Sequence, residues 1–599
     1  MNTMNVRIKK YLPAIIFILS AVLLFVKCFL SFCWSDETFY YSTAYRFYMG
    51  DSIFRHDWFP TQLSSVILIP FFSLYVKIRG TTDGILLYFR ILFVIFTLIN
   101  SVLAFGILKR HTHRFVALTE SVCILFYTHL NIATLSYYTI SVQCFLMAML
   151  LLYDHVKRRE KRSELIICGI YYAISVLALP TMALGYFITV LILLCLILLK
   201  GRSDISIINE NTDKALLLDI LKYTFAGILI PAVIFFVFLL GNVSISDFLS
   251  NIPYVLSDDE HGTSFIYPIK KFFIGINEVF GHSAYISYLL SILCLLFGRK
   301  LKEGKYPVII LITDLVLFIY DLTRAIPHTG YIFTVICLFS LPLFFITKKP
   351  DIAAFFTFFV NGMVFSLVYS YSSNGYLYIL SMGHFIASAG GFIFIYDFIK
   401  ELMFTECEIS TKPFMRYRQS VLFMICFIIL SITSISTIVL RIVNIYRDAP
   451  VSELKYRITT GPAEGLYTTA EHKEDYDTVV NVIRKYCTRD SAGRKTNSLL
   501  ISKLLPFGYM CSDMYVGAPT TWRNMISSER LITYYELNPE RIPDVILILD
   551  EKYGSYETCG DVEEDPCPNE NELEGPLMED ILENYERRDV DCGIIYSLK

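Results

Sequence analysis

A chain of 599 residues that is 55% hydrophobic and 15% aromatic, with a mean hydropathy of +0.52, lies well outside soluble averages and reads as an integral membrane protein. Its formal charge of −3 hides an asymmetry, because residues 441–599 hold 18 basic and 29 acidic groups and leave 34 and 26 to the apolar part. No basic patch of the nucleic-acid kind occurs, which excludes that class of partner. The fifteen cysteines form no framework: most, such as Cys123, Cys144, Cys168, Cys195, Cys294 and Cys337, sit in apolar runs as small hydrophobes. In the tail, Cys559 and Cys567 could pair if that part is exported.

In chain order, the apolar run Tyr11–Cys33 follows Arg7, Lys9 and Lys10, so it spans a bilayer with its basic flank in the cytoplasm. It is too long for a signal-peptide core and lacks a small-residue cleavage site, which makes it a retained anchor. Asp36 and Glu37 are then the first residues to emerge on the far side. A carboxylate at the lipid–water boundary reaches a lipid headgroup and a soluble hydroxyl together, so it can take a proton while a lipid phosphate leaves. The alternative is the solvated end of a helix. The segment TAYRFYMGD ends at Gly50-Asp51, and WFPTQLSSVILIPFF follows, opening at Trp58. The fourteen residues Leu63–Val76 are short for a crossing and are expected to lie in the interface. Gly84–Leu108 is the second span, with Arg90 in its outer turns. A guanidinium there is costly unless paired, either with a lipid phosphate or with Asp36, Glu37 or Asp51.

Further spans follow at Phe115–Thr128, Tyr137–Tyr153, Leu165–Leu179, Met182–Leu199, Leu221–Leu240, Ala284–Phe297, Tyr306–Tyr320, Tyr331–Ile346, Ile352–Tyr371, Tyr376–Ile399 and Val421–Leu440. These thirteen place every strongly basic loop inside and the tail outside, on the side of Asp36. The external loop Gly241–Gly281 carries Asp258, Asp259, Glu260 and His261, which read as a divalent-cation cluster, a wall of an acceptor site or a solvated acidic turn. Lys270 and Lys271 either meet a phosphate or snorkel. The hairpin around IYDLTRAIPHTG holds Asp314, Asp321, Arg324 and His328. Intramembrane acids are functional candidates, although Asp321 and Arg324 are spaced to neutralise one another.

The tail alternates in type. EDYDTVVNVIRKYC and GPLMEDILENYERR read as helices, and NSLLIS, PDVILIL and DCGIIYSL as strands, giving a small α/β domain over 441–599. It contains no phosphate-binding glycine loop, nucleophile elbow or zinc-helix motif, so no catalysis is assigned to it.

The ordered set Asp36-Glu37, the helix ending at Gly50-Asp51, the approach through Pro60 and the span opened by Arg90 resembles the first 110 residues of the GT-C superfamily of polytopic glycosyltransferases, in its protein mannosyltransferase and aminoarabinose transferase branch. Two departures stand out. The family's Pro-Pro pair is Pro60 alone, and the second external loop, THLNIATLSYYT, carries no acid. The resemblance implies a GT-C-like polytopic α-helical membrane domain over 1–440, with its catalytic external loop at 34–84. It further implies transfer of a sugar from a polyprenyl-phosphate donor to an extracytoplasmic glycan, lipid or protein acceptor, at the plasma membrane of a prokaryote. Asp36 would be the general base and Glu37 its companion. Arg90, with Lys270, Lys271, Arg324 or His328, would hold the donor phosphate, and Trp34, Tyr40, Asp51 and Trp58 would contact acceptor or sugar. A divalent cation is the one cofactor candidate. A transporter or flippase of a lipid-linked or anionic substrate is the alternative from another class.

Overall fold

The computed structural model describes residues 2–199, 213–257, 266–326, 328–371, 373, 375–404, 412–489, 495–522, 527–553 and 576–599. Each of the thirteen apolar segments forms a helix: α1 Asn2–Lys27, α4 Ile85–Leu108, α5 Arg114–Phe126, α6 Tyr137–Arg158, α7 Arg162–Ala178, α8 Met182–Leu199, α9 Lys214–Asn242, α12 His282–Leu301, α13 Tyr306–Ala325, α14 Thr329–Ile346, α15 Ile352–Tyr369, α16 Leu377–Phe404 and α17 Lys412–Val443. Between α1 and α4 lie α2 Asp36–Tyr48 and α3 Gln62–Arg79. Nine helices among the described residues are long and apolar enough to cross a membrane, eight of them on expected segments.

The ninth is α3. The stretch expected to lie in the interface lengthens to eighteen residues, because the helix takes in Gln62 and runs through Lys77 to Arg79 before Gly80 ends it at φ +79°. The expected external loop 241–281 also departs from its reading, since it holds two amphipathic helices, α10 Ile245–Leu256 and α11 Tyr267–Phe280. Phe248, Ile252 and Val255 recur on one face of α10 and pack beneath Phe54 and Trp58. A short helix with one apolar stripe offers no long apolar run for a span reading to detect.

The bundle is centred on α6, α14 and α16, which are buried along most of their length, while α9 is peripheral. Small residues set the closest crossings. A Cβ on Gly169 of α7 would lie 2.1 Å from the Thr224 carbonyl oxygen of α9, and one on Gly383 of α16 would lie 2.2 Å from the Gly362 carbonyl of α15. Within α15, residues Phe355–Val360 form a π-helical turn.

The tail pairs two short antiparallel strands, β1 Tyr456–Arg457 and β2 Tyr467–Thr468, and contains a separate five-stranded sheet. Its strands are β3 Ser498–Ile501, β4 Tyr515–Val516, β5 Val545–Leu549, β6 Tyr585–Val590 and β7 Gly593–Leu598, in the order β4-β3-β5-β7-β6. Strand β3 runs parallel to β4 and β5, and β7 is antiparallel to β5 and β6. The expected C-terminal helix divides, ending at Asn584, and Tyr585–Val590 enters the sheet as a hairpin with β7. The helix Ala470–Tyr486 and the short helix Pro506–Cys511 bring Tyr476 and Phe507 against Phe32 and Trp34, with ring centres 5.1–5.5 Å apart for Phe32 with each and for Trp34 with Phe507. The sheet region and the loop after α1 therefore share one core. Cys559 and Cys567 lie outside the described residues.

Candidate active site

The loop between α1 and α2 is fixed from the tail side. The Ser31 N–H donates to the Tyr467 carbonyl at 2.8 Å, and the Phe32 N–H donates to Asp448 Oδ2 at 2.7 Å. Helix α2 begins at Asp36. Successive helical residues point about 100° apart, so the two acids are sent to different partners. Asp36 Oδ2 accepts from the Tyr446 hydroxyl at 2.6 Å and pairs with Arg447 Nη1 at 2.6 Å, and the same nitrogen donates to Ser35 Oγ at 2.8 Å. Glu37 receives Arg90 in two prongs, Nε to Oε1 and Nη2 to Oε2, each at 2.5 Å. Arg90 Nη1 donates to the carbonyls of Cys28 and Leu30 at 2.9 and 3.0 Å, so all three guanidinium nitrogens are engaged. Of the two readings of Arg90, the geometry is that of the internal ion pair.

The exposures separate the acids further. The Asp36 side chain is 15% exposed and partnered from the exposed side by Arg447, itself 31% exposed, while Glu37 and Arg90 are each 4%. Beyond Arg90 lie Lys27, donating to the carbonyls of Ile442 and Asn444 at 2.9 and 3.0 Å, and Arg441, donating to the carbonyl and side-chain oxygens of Asn131 at 2.6 and 3.1 Å. Two buried guanidinium groups, Arg90 and Arg441, and the buried Lys27 amine thus stand with one buried carboxylate, Glu37. A cavity of about 20 Å³ lies among Lys27, Glu37, Arg90, Asn131 and Tyr446, room for a single water.

Aromatic rings wall the other side. Tyr40 and Tyr137 are 5.6 Å apart, Tyr137 and Tyr138 4.0 Å, and Tyr138 and Tyr369 5.9 Å. Burial, together with the Asp36 charge, pushes the Tyr446 phenol well above its ordinary range, so it stays a hydrogen-bond donor. His129, in the turn between α5 and α6, packs 4.5 Å from Tyr138, and burial pushes it down to about 3, which keeps it neutral.

The expected sugar contacts are packed inside. Trp34, Tyr40 and Trp58 are 7, 1 and 2% exposed, so their rings pack in the core and offer no open face. Trp58 donates through Nε1 to Asn251 at 3.0 Å and stacks 4.7 Å from Tyr254. Asp51 sits between Arg46 at 2.8 Å and Arg541 at 2.6 Å. Burial works against its charge, but these two guanidinium groups outweigh it and hold the carboxyl below its usual range. Of the expected phosphate contacts, Lys270 is exposed and Lys271 donates to the Ser373 carbonyl beneath Tyr267. Arg324 is exposed over Tyr320, and His328 rests against Tyr331. None of the four touches Asp36 or Glu37. Asp258, Asp259, Glu260 and His261 lie outside the described residues. Among those described, no group of three or more His, Cys, Asp or Glu could hold a metal ion, and Asp36 alone is not the oxygen set that a hard cation takes.

Sequence reading missed Tyr446, Arg447, Lys27 and Arg441. The last three carried a signal, being cations at ends of apolar runs that the sequence expects to face outward, where the positive-inside rule disfavours them. Tyr446 carried none.

No family profile matches the chain, and no curated protein matches it. Among solved structures it is similar to the archaeal oligosaccharyltransferase AglB from Archaeoglobus fulgidus in complex with an inhibitory peptide and a dolichol-phosphate, at 12% identity and a TM-score of 0.36, covering 90% of this chain and 70% of that one. It is also similar to the apo form of the Archaeoglobus fulgidus oligosaccharyltransferase, at 12% identity and a TM-score of 0.39, covering 90% and 69%.

Proposed function

We propose that the chain is a membrane glycosyltransferase of the GT-C type, with a transmembrane part over 1–440 and an extracytoplasmic domain over 441–599, that moves a sugar from a polyprenyl-phosphate donor to an acceptor hydroxyl. The observation that carries the reading is the division of labour between adjacent acids. Glu37 is consumed by Arg90 inside the bundle, while Asp36 faces the exposed edge beside Arg447.

In this reading Asp36 accepts the proton of the acceptor hydroxyl as its oxygen attacks the anomeric carbon. The bond from that carbon to the phosphate oxygen breaks on the opposite face, its electron pair leaves with the polyprenyl phosphate, and the configuration inverts. The leaving group gathers negative charge as it departs, which fixed cations stabilise. Arg447 is placed to turn from Asp36 toward that phosphate, which would also free the carboxylate to act as a base. Arg90 and Arg441 supply a positive field behind it. Glu37 then keeps Arg90 oriented and takes no proton. Arg90 is a field and scaffold residue here, and Arg447 takes the phosphate contact that the sequence reading gave to it.

The test is to incubate the detergent-solubilised chain with labelled polyprenyl-phosphate sugars and follow the anomeric configuration of any product. An inverted glycoside that requires Asp36 supports the reading. Retained configuration, or intact donor moved across a vesicle without cleavage, sinks it in favour of a double-displacement enzyme or a transporter.

A further inference from the structure

A second cavity, of about 490 Å³, opens far from Asp36. Helix α6 begins at Tyr137, next to Tyr40 of the candidate site, and the cavity touches the same helix from Leu152 onward. At 1.5 Å per residue this is roughly 22–30 Å further along the bundle.

Its walls are apolar, with Leu152, Val156, Ile192, Leu217, Phe356 and Val360 among them. Three uncharged polar side chains, Thr189, Thr357 and Asn361, sit within. Thr189 Oγ1 donates to Asn361 Oδ1 at 2.8 Å, and Asn361 Nδ2 donates to the Phe356 carbonyl of the π-helical turn at 2.8 Å. The mouth carries two ion pairs, Lys157 to Asp351 at 2.9 Å and Arg159 to Asp213 at 2.7 Å, and Asp351 also accepts from the Tyr153 hydroxyl at 2.8 Å. The glycine crossings of α7 on α9 and of α15 on α16 hold these walls in place, so the space does not need to be opened by a ligand.

A cavity of this volume, apolar inside and with few polar groups, has the form of a ligand site between helices. The charges at its mouth specify the ligand. Lys157 and Arg159 are already matched by Asp351 and Asp213, so a purely anionic head would bring a charge that the two carboxylates oppose. A zwitterionic head adds one charge of each sign, and its phosphate and its amine can exchange places with the members of a pair while every charge keeps an opposite neighbour. A primary ammonium also donates hydrogen bonds to carboxylates, which a quaternary one cannot. We propose that this cavity binds one amine-headed zwitterionic phospholipid, with its acyl chains among α6, α8, α9 and α15 and its head between the Lys157–Asp351 and Arg159–Asp213 pairs.

The experiment is native mass spectrometry of the full chain after exchange with an equimolar mixture of phosphatidylethanolamine, phosphatidylcholine, phosphatidylglycerol and polyprenyl phosphate. One phosphatidylethanolamine should remain per chain, at least ten-fold above each of the others. Thr189→Trp, which obstructs the cavity, should abolish that adduct, and the double variant Lys157→Ala, Arg159→Ala should lower it about ten-fold. Asp36→Asn should leave it unchanged, because the two sites are separate. If Thr189→Trp does not elute as a single species, Ile192→Phe serves in its place. Equal retention of the anionic lipids, preferential retention of polyprenyl phosphate, or an adduct that survives the obstructed cavity would each overturn the proposal.

Discussion

Glu37 and Arg90 meet as a two-pronged ion pair that ties α2 to α4, both side chains 4% exposed. Breaking a buried pair from one side leaves an uncompensated charge, which costs about 3–5 kcal/mol, whereas removing both partners costs far less. Glu37→Gln and Arg90→Met should each lower thermal stability in detergent, and the double variant should recover much of the loss. Equal losses in all three would mean that the pair does not hold the two helices together.

Tyr446 bears on Asp36 through one hydrogen bond of 2.6 Å. Tyr446→Phe should leave folding intact and lower transfer a few-fold, because the carboxylate loses the donor that holds it in place. Arg447→Gln should do more to the apparent donor affinity than to the rate at saturation, as expected of a phosphate contact. Steady-state kinetics with varied donor separate the two.

His56 lies between Asp51, Glu540, Arg55 and Arg541 at the junction of the α2–α3 loop with the tail. Its Nδ1 accepts from the Ser52 N–H at 2.8 Å, and its Nε2 meets Glu540 at 3.0 Å. Burial is the main cause that pushes it from 6.5 down to about 4. The unfolded chain therefore binds a proton between pH 6.5 and 4 that the folded chain refuses, so stability falls as pH drops through this window, by about 3 kcal/mol in full. Asp57, pushed up to about 6 mainly by burial, acts in the opposite sense over part of the same range. The difference between wild type and His56→Gln isolates the histidine. Melting temperatures from pH 4 to 7 should show the wild type losing ground to the variant on acidification, and parallel curves would contradict the assignment.

Trp58 joins the α2–α3 loop to the tail, stacked 4.7 Å from Tyr254 and edge-on 5.1 Å from Tyr534. Trp58→Ala should cost about 3–5 kcal/mol and make residues 441–599 more sensitive to protease while the bundle stays intact. Unaltered digestion would show that the tail is held elsewhere.

The thirteen apolar segments were legible because a run of such length leaves few other ways to satisfy its backbone. Helix α10 was not, since Phe248, Ile252 and Val255 make a stripe too narrow to raise local hydropathy. The adjacent carboxylates Asp36 and Glu37 could be located from their place after the first apolar run, but their separate fates could not. What divides them is the path of α4 carrying Arg90 to one and the turn after α17 carrying Tyr446 and Arg447 to the other, some 410 residues away in the chain. Arg447 was visible only as one more cation near a span end, and its pairing depends on a crossing that no local pattern encodes.

The proposed chemistry rests on Asp36 acting as the base while Glu37 does not. The most direct measurement is single-turnover release of polyprenyl phosphate from a labelled polyprenyl-phosphate sugar, in detergent and without a gradient, by wild type and by Asp36→Asn. The variant should melt at the wild-type temperature and release the lipid phosphate roughly a hundred to ten thousand times more slowly, the range over which a general base contributes. Release at the wild-type rate from a folded Asp36→Asn chain would contradict the account.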